Sequence, residues 1–404
     1  MFDLVALLQV LHTTLDRRIM RQLLVIVIAL LGMTGTVTML GISRWTDKGG
    51  SYRTIQRFFN THIDWLQVSL LFIKYILLDI NDTLLIAGDE TVINKAGKKT
   101  YGLGWFFSSI HSKSVQGISF LSLSIVSVKN KQSYPIIMEQ VEKLPKGQVE
   151  SKQDKPNKKN AKGRPKGSKN KNRKDVELPA YLQWIQKILL NVLYIMGAGL
   201  PVRYFVYDGA FGNNYAAQMV TKCGLDLISK LRHDSVLWFP YEGSKKKRGP
   251  AKKYGDRVNC KNISDEYLKS KFVENDTLIH LYQMTVWHKH FANQLNVVII
   301  VRTDLTTGKM GHTILFSTDL QLEYDKIVEY YKLRFQIEFN FRDAKQHWGL
   351  EDFMNVNKLP VYNWANLSMF MVNVSHALMR QYHGTLSVLD IKTWFRGQNM
   401  WMRY

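Results

Sequence analysis

The sequence predicts an α/β core interrupted by a β-rich insertion and flanked by helical segments at both ends. Three observations carry this. From about residue 83 to 222, apolar strand runs are followed by helical runs in the order of an α/β core. Residues 234–318 read as successive hairpins with Thr-Gly turns. From Leu322 to His347, and again from Val361 to Gln381, apolar residues return at helical spacing. A chain of 404 residues, 46% of them hydrophobic, can bury a sizeable core in two or three domains. That composition excludes a disordered tail, a collagen and a small disulfide scaffold.

Residues 1–78 read as helices. Leu23–Ser43 lacks any charge and is long enough to span a bilayer. Its unbroken apolar part stops at Leu31, however, and Gly32, Thr34, Gly35, Thr36 and Thr38 follow. A buried helix, a turn and a second short helix are therefore expected, with no membrane span. Asp3 and the lack of a basic n-region argue against a signal peptide. Gly49-Gly50 breaks the chain and Ser51 is a plausible N-cap. The helix after it carries Arg53 and Arg57 at i and i+4, with Ile55, Phe58 and Phe59 on other faces. This is a helix-turn-helix-like, DNA-binding reading with Arg53 and Arg57 exposed; an ordinary small helical bundle is the alternative.

Residues 79–233 form the first part of the core. TLLIAG runs into Asp89, and VQGISFLSLSIVSV alternates as a half-exposed strand pair or one long strand. A basic loop follows at 145–178. Tyr181–Met196 is a helix stopped by Gly197 and Gly199. VRYFVYDGAFGNN then gives a strand, Asp208 at its end, a glycine turn and a helix opening near Asn214. Residues 234–320 are the insertion, 321–355 a helix completing the core, and 356–404 a C-terminal helical region.

Charge supplies the first functional clue. The formal net charge is +22, which points to a polyanionic partner. Residues 151–174 hold eleven basic side chains against one acid, and 244–253 add six more, so two short stretches carry most of the excess. The first lacks apolar side chains to bury and is expected to be mobile when free. Within it, Gly163-Arg164-Pro165-Lys166-Gly167 resembles the core of an AT-hook, in which arginine enters a narrow A·T minor groove; a plain solvated linker fits equally. Lys247 and Arg248 sit in the second tract. The two cysteines, Cys223 and Cys260, have no CxxC neighbour, which argues against a secreted disulfide fold and a Cys-rich zinc site and fits a reducing cytoplasm.

Three acids stand out. Asp89 and Asp208 each end an apolar strand, where a side chain enters the crevice used by α/β sheets. Neighbouring residues on a strand face opposite ways, so Asp89 is preferred to Glu90. The third is Glu338, in EYYKLRFQIEFNFRDAKQHWGLEDF. At about 100° per residue, Tyr331, Arg334, Glu338 and Lys345 share one arc of about 60°. Tyr330, Leu333, Ile337, Phe341, Ala344 and Trp348 form the apolar face beside it. An i,i+4 Arg–Glu pair explains only two of the four polar residues. His288-Lys289-His290 puts two imidazoles on one strand face, but with no third ligand nearby a polar surface is favoured over a zinc pair.

Tyr331-x2-Arg334-x3-Glu338-x6-Lys345 is similar, without a gap, to the Y-R-E-K motif of insertion-sequence transposases of the DDE class (the insertion sequence 4 family). Asp89-Glu90-Thr91 with Lys95 and Gly97-Lys98-Lys99 resembles that family's first acidic region, and Tyr207-Asp208-Gly209-Ala210-Phe211 its second. The resemblance implies a ribonuclease H-like catalytic core in which Asp89, Asp208 and Glu338 are catalytic and hold two Mg2+ ions, with Mn2+ able to substitute. It implies that Arg334 and Lys345 grip phosphates and that Tyr331 hydrogen-bonds or stacks at the DNA end. Trp287 or Trp238 is a candidate to stack on a flipped base, although a core role is favoured for both. The implied activity is cut-and-paste DNA transposition. Its partners are double-stranded DNA, as terminal inverted repeats and target, and a second copy of the chain in a homodimeric synaptic complex. The implied setting is a prokaryotic cytoplasm, associated with the nucleoid. The rival readings are a non-catalytic DNA-binding protein derived from a transposase and a membrane protein anchored by residues 23–43.

Overall fold

The computed structural model describes residues 3–46, 49–79, 81–108, 112–142, 173–244, 252–382 and 385–401. Arg164, Lys166, Lys247 and Arg248 lie outside them.

Five helices come first: α1 (Leu4–Gln9), α2 (Arg17–Gly32), α3 (Met39–Arg44), α4 (Tyr52–Phe59) and α5 (Trp65–Phe72), which runs on as a π-turn to Leu77. Side chains cap each start: Asp3, Asp16, Thr38, Ser51 and Asp64 accept a backbone N–H of the first turn, each worth about 1 kcal/mol. The expected break after Leu31 falls between α2 and α3. No helix among the described residues is long and apolar enough to cross a membrane.

The strands are β1 (Leu84–Asn94), β2 (Gly104–Ser108), β3 (Lys113–Ser127) and β4 (Gln132–Gln140), followed by α6 (Ala180–Met196), β5 (Val202–Val206), α7 (Asn214–Lys222) and β6 (Asp226–Leu231). The insertion contributes β7 (Leu237–Pro240), β8 (Tyr254–Arg257), β9 (Leu268–Glu274), β10 (Thr277–His288), β11 (Leu295–Asp304) and β12 (Met310–Ser317). Helices α8 (Tyr324–Leu333), α9 (Gln336–His347), α10 (Lys358–Gln381) and α11 (Val388–Trp401) complete the described chain.

In the core, β1, β3 and β4 are antiparallel neighbours, whereas β5 lies parallel to β1 and β6 parallel to β5. A sheet of three antiparallel and two parallel strands fits the ribonuclease H-like arrangement that the resemblance implies. The ladder does not stop there. β12 pairs antiparallel with β6, β11 with β12 and β10 with β11, so the insertion is hydrogen-bonded into the core sheet.

The segment around VQGISFLSLSIVSV is one strand, and it is buried from Gly117 to Ser127 instead of half-exposed. Its serines Ser119, Ser122 and Ser124 are buried as well, on both faces of the strand. They are small enough to pass beneath a covering layer, so alternation with serine did not mark a solvent face. The edge strand β4 is covered by α10, whose buried asparagines satisfy its backbone. Asn366 accepts from Met138 N at 2.8 Å and donates to Met138 O at 2.9 Å, and Asn373 donates to Pro135 O at 2.8 Å. Asn363 ties in the N-terminal helices: it accepts from Trp65 Nε1 at 2.9 Å and donates to the Phe59 and Thr61 carbonyls at 2.8 Å each. Phe59 stacks on Trp364 at 4.5 Å between ring centroids. The N-terminal helices, α10 and one face of the sheet thus share a single apolar cluster. A second, smaller cluster on the opposite face joins Leu85, Ala87, Tyr204 and Val206 to Tyr330 and Leu333 of α8.

Candidate active site at the β1–β5 edge

Ala87 of β1 pairs with Val206 of β5, the last rung of their parallel ladder. Asp89 and Asp208 each stand two residues beyond it, where the parallel pairing has stopped. Leu85, Ala87, Tyr204 and Val206 all pack beneath α8, and the twofold alternation of a strand puts Asp89 and Asp208 on that same face. Glu90 faces the other way, accepting hydrogen bonds from Tyr181 and Ser119. The sequence placed Asp89 at a strand end, but β1 continues to Asn94, and Asp89 pairs with Ser122. The reason is that β3 outlasts β5: Asp89 lies past the end of the parallel ladder but within the antiparallel one. Asp208 leaves β5 and caps a short 3-10 turn, accepting from Ala210 N at 3.0 Å, while Ser229 Oγ donates to its carbonyl at 2.5 Å.

The expected helix over 322–347 is two, α8 and α9, meeting at Arg334-Phe335. Both junction residues keep right-handed helical angles. The break comes from hydrogen bonding: Ile337 N and Glu338 N donate three residues back, to Arg334 O and Phe335 O, at 3.0 and 3.1 Å. Such a 3-10 step tightens the turn. The apolar stripe is as read: Tyr330, Leu333, Ile337, Phe341, Ala344 and Trp348 are all buried.

Arg334 sits at this junction, only 12% exposed, and bridges two of the acids. Its Nη1 donates to Asp89 Oδ2 at 3.1 Å and its Nη2 to Glu338 Oε1 at 3.2 Å. Burial pushes the Asp89 carboxyl up to about 6, against the pull of the Arg334 guanidinium, and Asp208 and Glu338 add like-charge repulsion. Asp89 therefore lies within the field of both other acids. Tyr331 is raised by burial and lies within the fields of Arg334, Asp208 and Asp89; with Asp208 it lines a groove of about 490 Å3. Lys345 Nζ ion-pairs with Glu351 at 3.1 Å and points at Val92 O of β1 at 3.5 Å. Lys345 thus overlies the strand beyond Asp89.

Three carboxylates are the hard oxygen donors that a divalent cation such as Mg2+ takes, and their mutual repulsion is what such a charge relieves. The donor set fits in kind. As the side chains are placed, no three His, Cys, Asp or Glu residues among those described are close enough to hold one ion. Gathering Asp89 and Glu338 around a cation requires the Arg334 guanidinium to release them.

Several basic residues escaped the sequence reading. Lys230, Arg232, His233 and His312 line the groove beside Asp208 and Tyr331. Their signal was local, since all four are on or beside strands that pair (β6 and β12), but that pairing is not visible in a single sequence. On the N-terminal helices, Arg53 and Arg57 are exposed while Ile55, Phe58 and Phe59 are buried. Arg17, Arg18 and Arg21 of α2 line a hollow with Thr54 of α4, extending that basic surface. Lys95, singled out only within the first acidic region, clamps two elements: its Nζ donates to Glu351 O and Phe353 O, both at 2.7 Å. It thereby fixes the far end of β1 to the turn after α9. Trp238 and Trp287 pair across β7 and β10 and are half-buried, not core residues. Lys289 and Lys253 lie over their rings at 4.7 and 3.4 Å. His288 and His290 are neighbours at 5.5 Å between ring centroids, and no third metal ligand joins them among the described residues.

The family model described as DDE superfamily endonuclease matches residues 10–281, about two thirds of the chain. The matched span holds Asp89 and Asp208 and ends before the helix that carries Glu338. No curated protein matches the chain.

Proposed function

The chain belongs to the DDE superfamily endonucleases, and from that premise we propose that it is a DNA transposase of the insertion-sequence type. Such a family implies DNA as substrate and typically uses divalent metals. The proposed enzyme binds the terminal inverted repeats of its element, cuts the strands there with Mg2+, and joins the freed 3′ ends to target DNA as a homodimer holding two ends.

The observation that carries this reading is the convergence at the β1–β5 edge. Two aspartates stand just past the last parallel rung of β1 and β5, and Arg334 ties the first of them to Glu338 on the crossing helix. In the proposed reaction, a water oxygen attacks the phosphorus at the element's end and the P–O3′ bond breaks, leaving a 3′-hydroxyl and a 5′-phosphate. That hydroxyl then attacks a target phosphodiester, one P–O bond forming as another breaks. Asp89, Asp208 and Glu338 would hold the cations. When bound, these ions activate the attacking oxygen and stabilise the leaving one. Arg334 is the residue that changes partners: its planar fork suits two phosphate oxygens as well as two carboxylates. Lys345 offers a second positive charge farther along α9, and Tyr331 meets the DNA end beside Asp208. Arg53 and Arg57, with the Arg17–Arg21 surface, are the proposed contacts to repeat DNA, together with Arg164, Lys166, Lys247 and Arg248.

The test is Asp208→Asn, assayed on a DNA fragment carrying the element's ends. Mg2+-dependent cutting should vanish while the variant still shifts the fragment in a gel. Cutting at the wild-type rate would overturn the assignment.

A further inference from the structure

A second concavity lies next to the acids. It is a cleft of about 1160 Å3 between the start of α7, the segment at Arg173 and the turn after β10. That exceeds the ~300–1,000 Å3 of small-molecule sites. Arg232 lines both this cleft and the groove holding Asp208, so the two spaces are neighbours on either side of one side chain.

The cleft walls are stitched together by one buried side chain. Asn214 Nδ2 donates to Arg173 O at 3.0 Å, and Asn214 Oδ1 accepts from Ala292 N at 2.9 Å. That bridge holds Arg173 opposite His288, Lys289 and His290. Asp234 is the one acid among the lining residues, and both of its oxygens are taken by Arg232 at 3.0 Å. Arg173 and Lys289 therefore bring positive charge to the cleft from opposite walls. His288 is held down to about 4, first by burial and then by His290 and Arg173. A polyanion would answer the charge of Arg173 and Lys289, with the neutral His288 ring between them. Tyr215, 40% exposed, and the imidazoles supply ring faces between the cations.

We propose that this cleft holds an unpaired DNA strand running from the Asp208 groove, with its phosphates on Arg173, Arg232 and Lys289 and its bases against Tyr215 and His290. The proposal deepens the transposase reading and rests on it. A basic groove interleaved with aromatic faces is how single strands are held. Duplex, by contrast, is usually read by a protruding helix or ribbon that enters its groove, and a concave space offers neither.

The experiment measures binding of the full chain, without divalent metal, by fluorescence anisotropy. One probe is a blunt duplex; the other is the same duplex with a single-stranded tail of about ten nucleotides, within the usual span of such sites. Wild type should prefer the tailed probe. The double substitution Arg173→Ala with Lys289→Ala should cut that preference about tenfold and lower the salt slope for the tail by about 1.4, at 0.7 per lost phosphate contact. Tyr215→Ala, which leaves the charge alone, should cut the preference several-fold with an unchanged salt slope. No preference in wild type, an unaltered preference in both variants, or equal losses on blunt and tailed DNA would each overturn the proposal. The readout needs no cutting. Its failure with Mg2+-dependent cleavage intact therefore condemns the cleft assignment alone, whereas cleavage that ignores Asp208→Asn condemns the transposase reading.

Discussion

Replacing Arg334 with alanine should destabilise the protein in a way that depends on both pH and Mg2+. The guanidinium is nearly buried and bridges Asp89, 20% exposed, and Glu338, 41% exposed. Breaking a buried ion pair from one side costs about 3–5 kcal/mol, but the Glu338 contact is exposed enough to be worth about 1 kcal/mol or less. Because Asp89 is itself partly exposed, the Asp89 contact falls below that range, and a loss of about 2–3 kcal/mol in all is expected at pH 8. Asp89 already titrates near 6 in the folded chain, above its unfolded value near 4. The folded state thus holds the extra proton between those values, and ionised Asp89 costs stability as pH rises through that window. Without Arg334 the folded value climbs further, so the gap between variant and wild type should be small at pH 5 and open towards pH 8. A cation at the same acids substitutes for the lost charge. For a dissociation constant of about 1 mM, 10 mM Mg2+ should restore about 1.4 kcal/mol to the variant and less to wild type. Urea unfolding at pH 5 and pH 8, with and without Mg2+, reads all of this. A gap that ignores both pH and Mg2+ would mean that Asp89, Glu338 and Arg334 do not share an electrostatic site.

Three further outcomes are expected. Burial holds the His376 imidazole, which meets the edge of the Tyr134 ring, down at about 4. The unfolded chain takes up its proton first as pH falls below about 6.5, so stability should drop by up to about 3 kcal/mol between pH 6.5 and 4; His376→Asn should flatten that limb of a melting-temperature profile. Asn363→Ala removes two buried hydrogen bonds and a part-buried one and leaves Trp65 Nε1 unpaired; at about 1 kcal/mol each, a chemical melt should show a loss of about 3 kcal/mol. Arg53→Ala with Arg57→Ala should weaken duplex binding and reduce the salt slope by up to about 1.8, at 0.9 per phosphate, with no change in unfolding, since both side chains are exposed.

How much of this was legible follows from which interactions are local. Asp89 and Asp208 were readable because each interrupts an apolar run, and strand alternation alone separated Asp89 from Glu90. The stripe from Tyr330 to Trp348 was readable because helical periodicity survives the step at Arg334-Phe335, where only the hydrogen-bond spacing changes. That step itself left no residue signature such as proline or glycine. The segment 361–381 was read as an apolar helix, but the task of its asparagines was not, because their partners lie more than 200 residues away, at Met138, Pro135 and Phe59. Lys95 and Arg232 were two lysines and arginines among 55, and only the fold distinguishes one that clamps carbonyls from one that faces solvent. Arg334 was read as a phosphate ligand, while its carboxylate-bridging position depends on β1 and α9 meeting in space.

The unbroken ladder from β6 through β12, β11 and β10 has a mechanical consequence. An appendage joined to its body by loops can swing, but one joined by consecutive rungs of hydrogen bonds bends only as the whole plate bends. Nucleic acid touching both this region and the far helices would meet a stiff frame of fixed span. The adjustment needed for a fit would then fall on the polynucleotide, whose own flexibility would help select where it is cut.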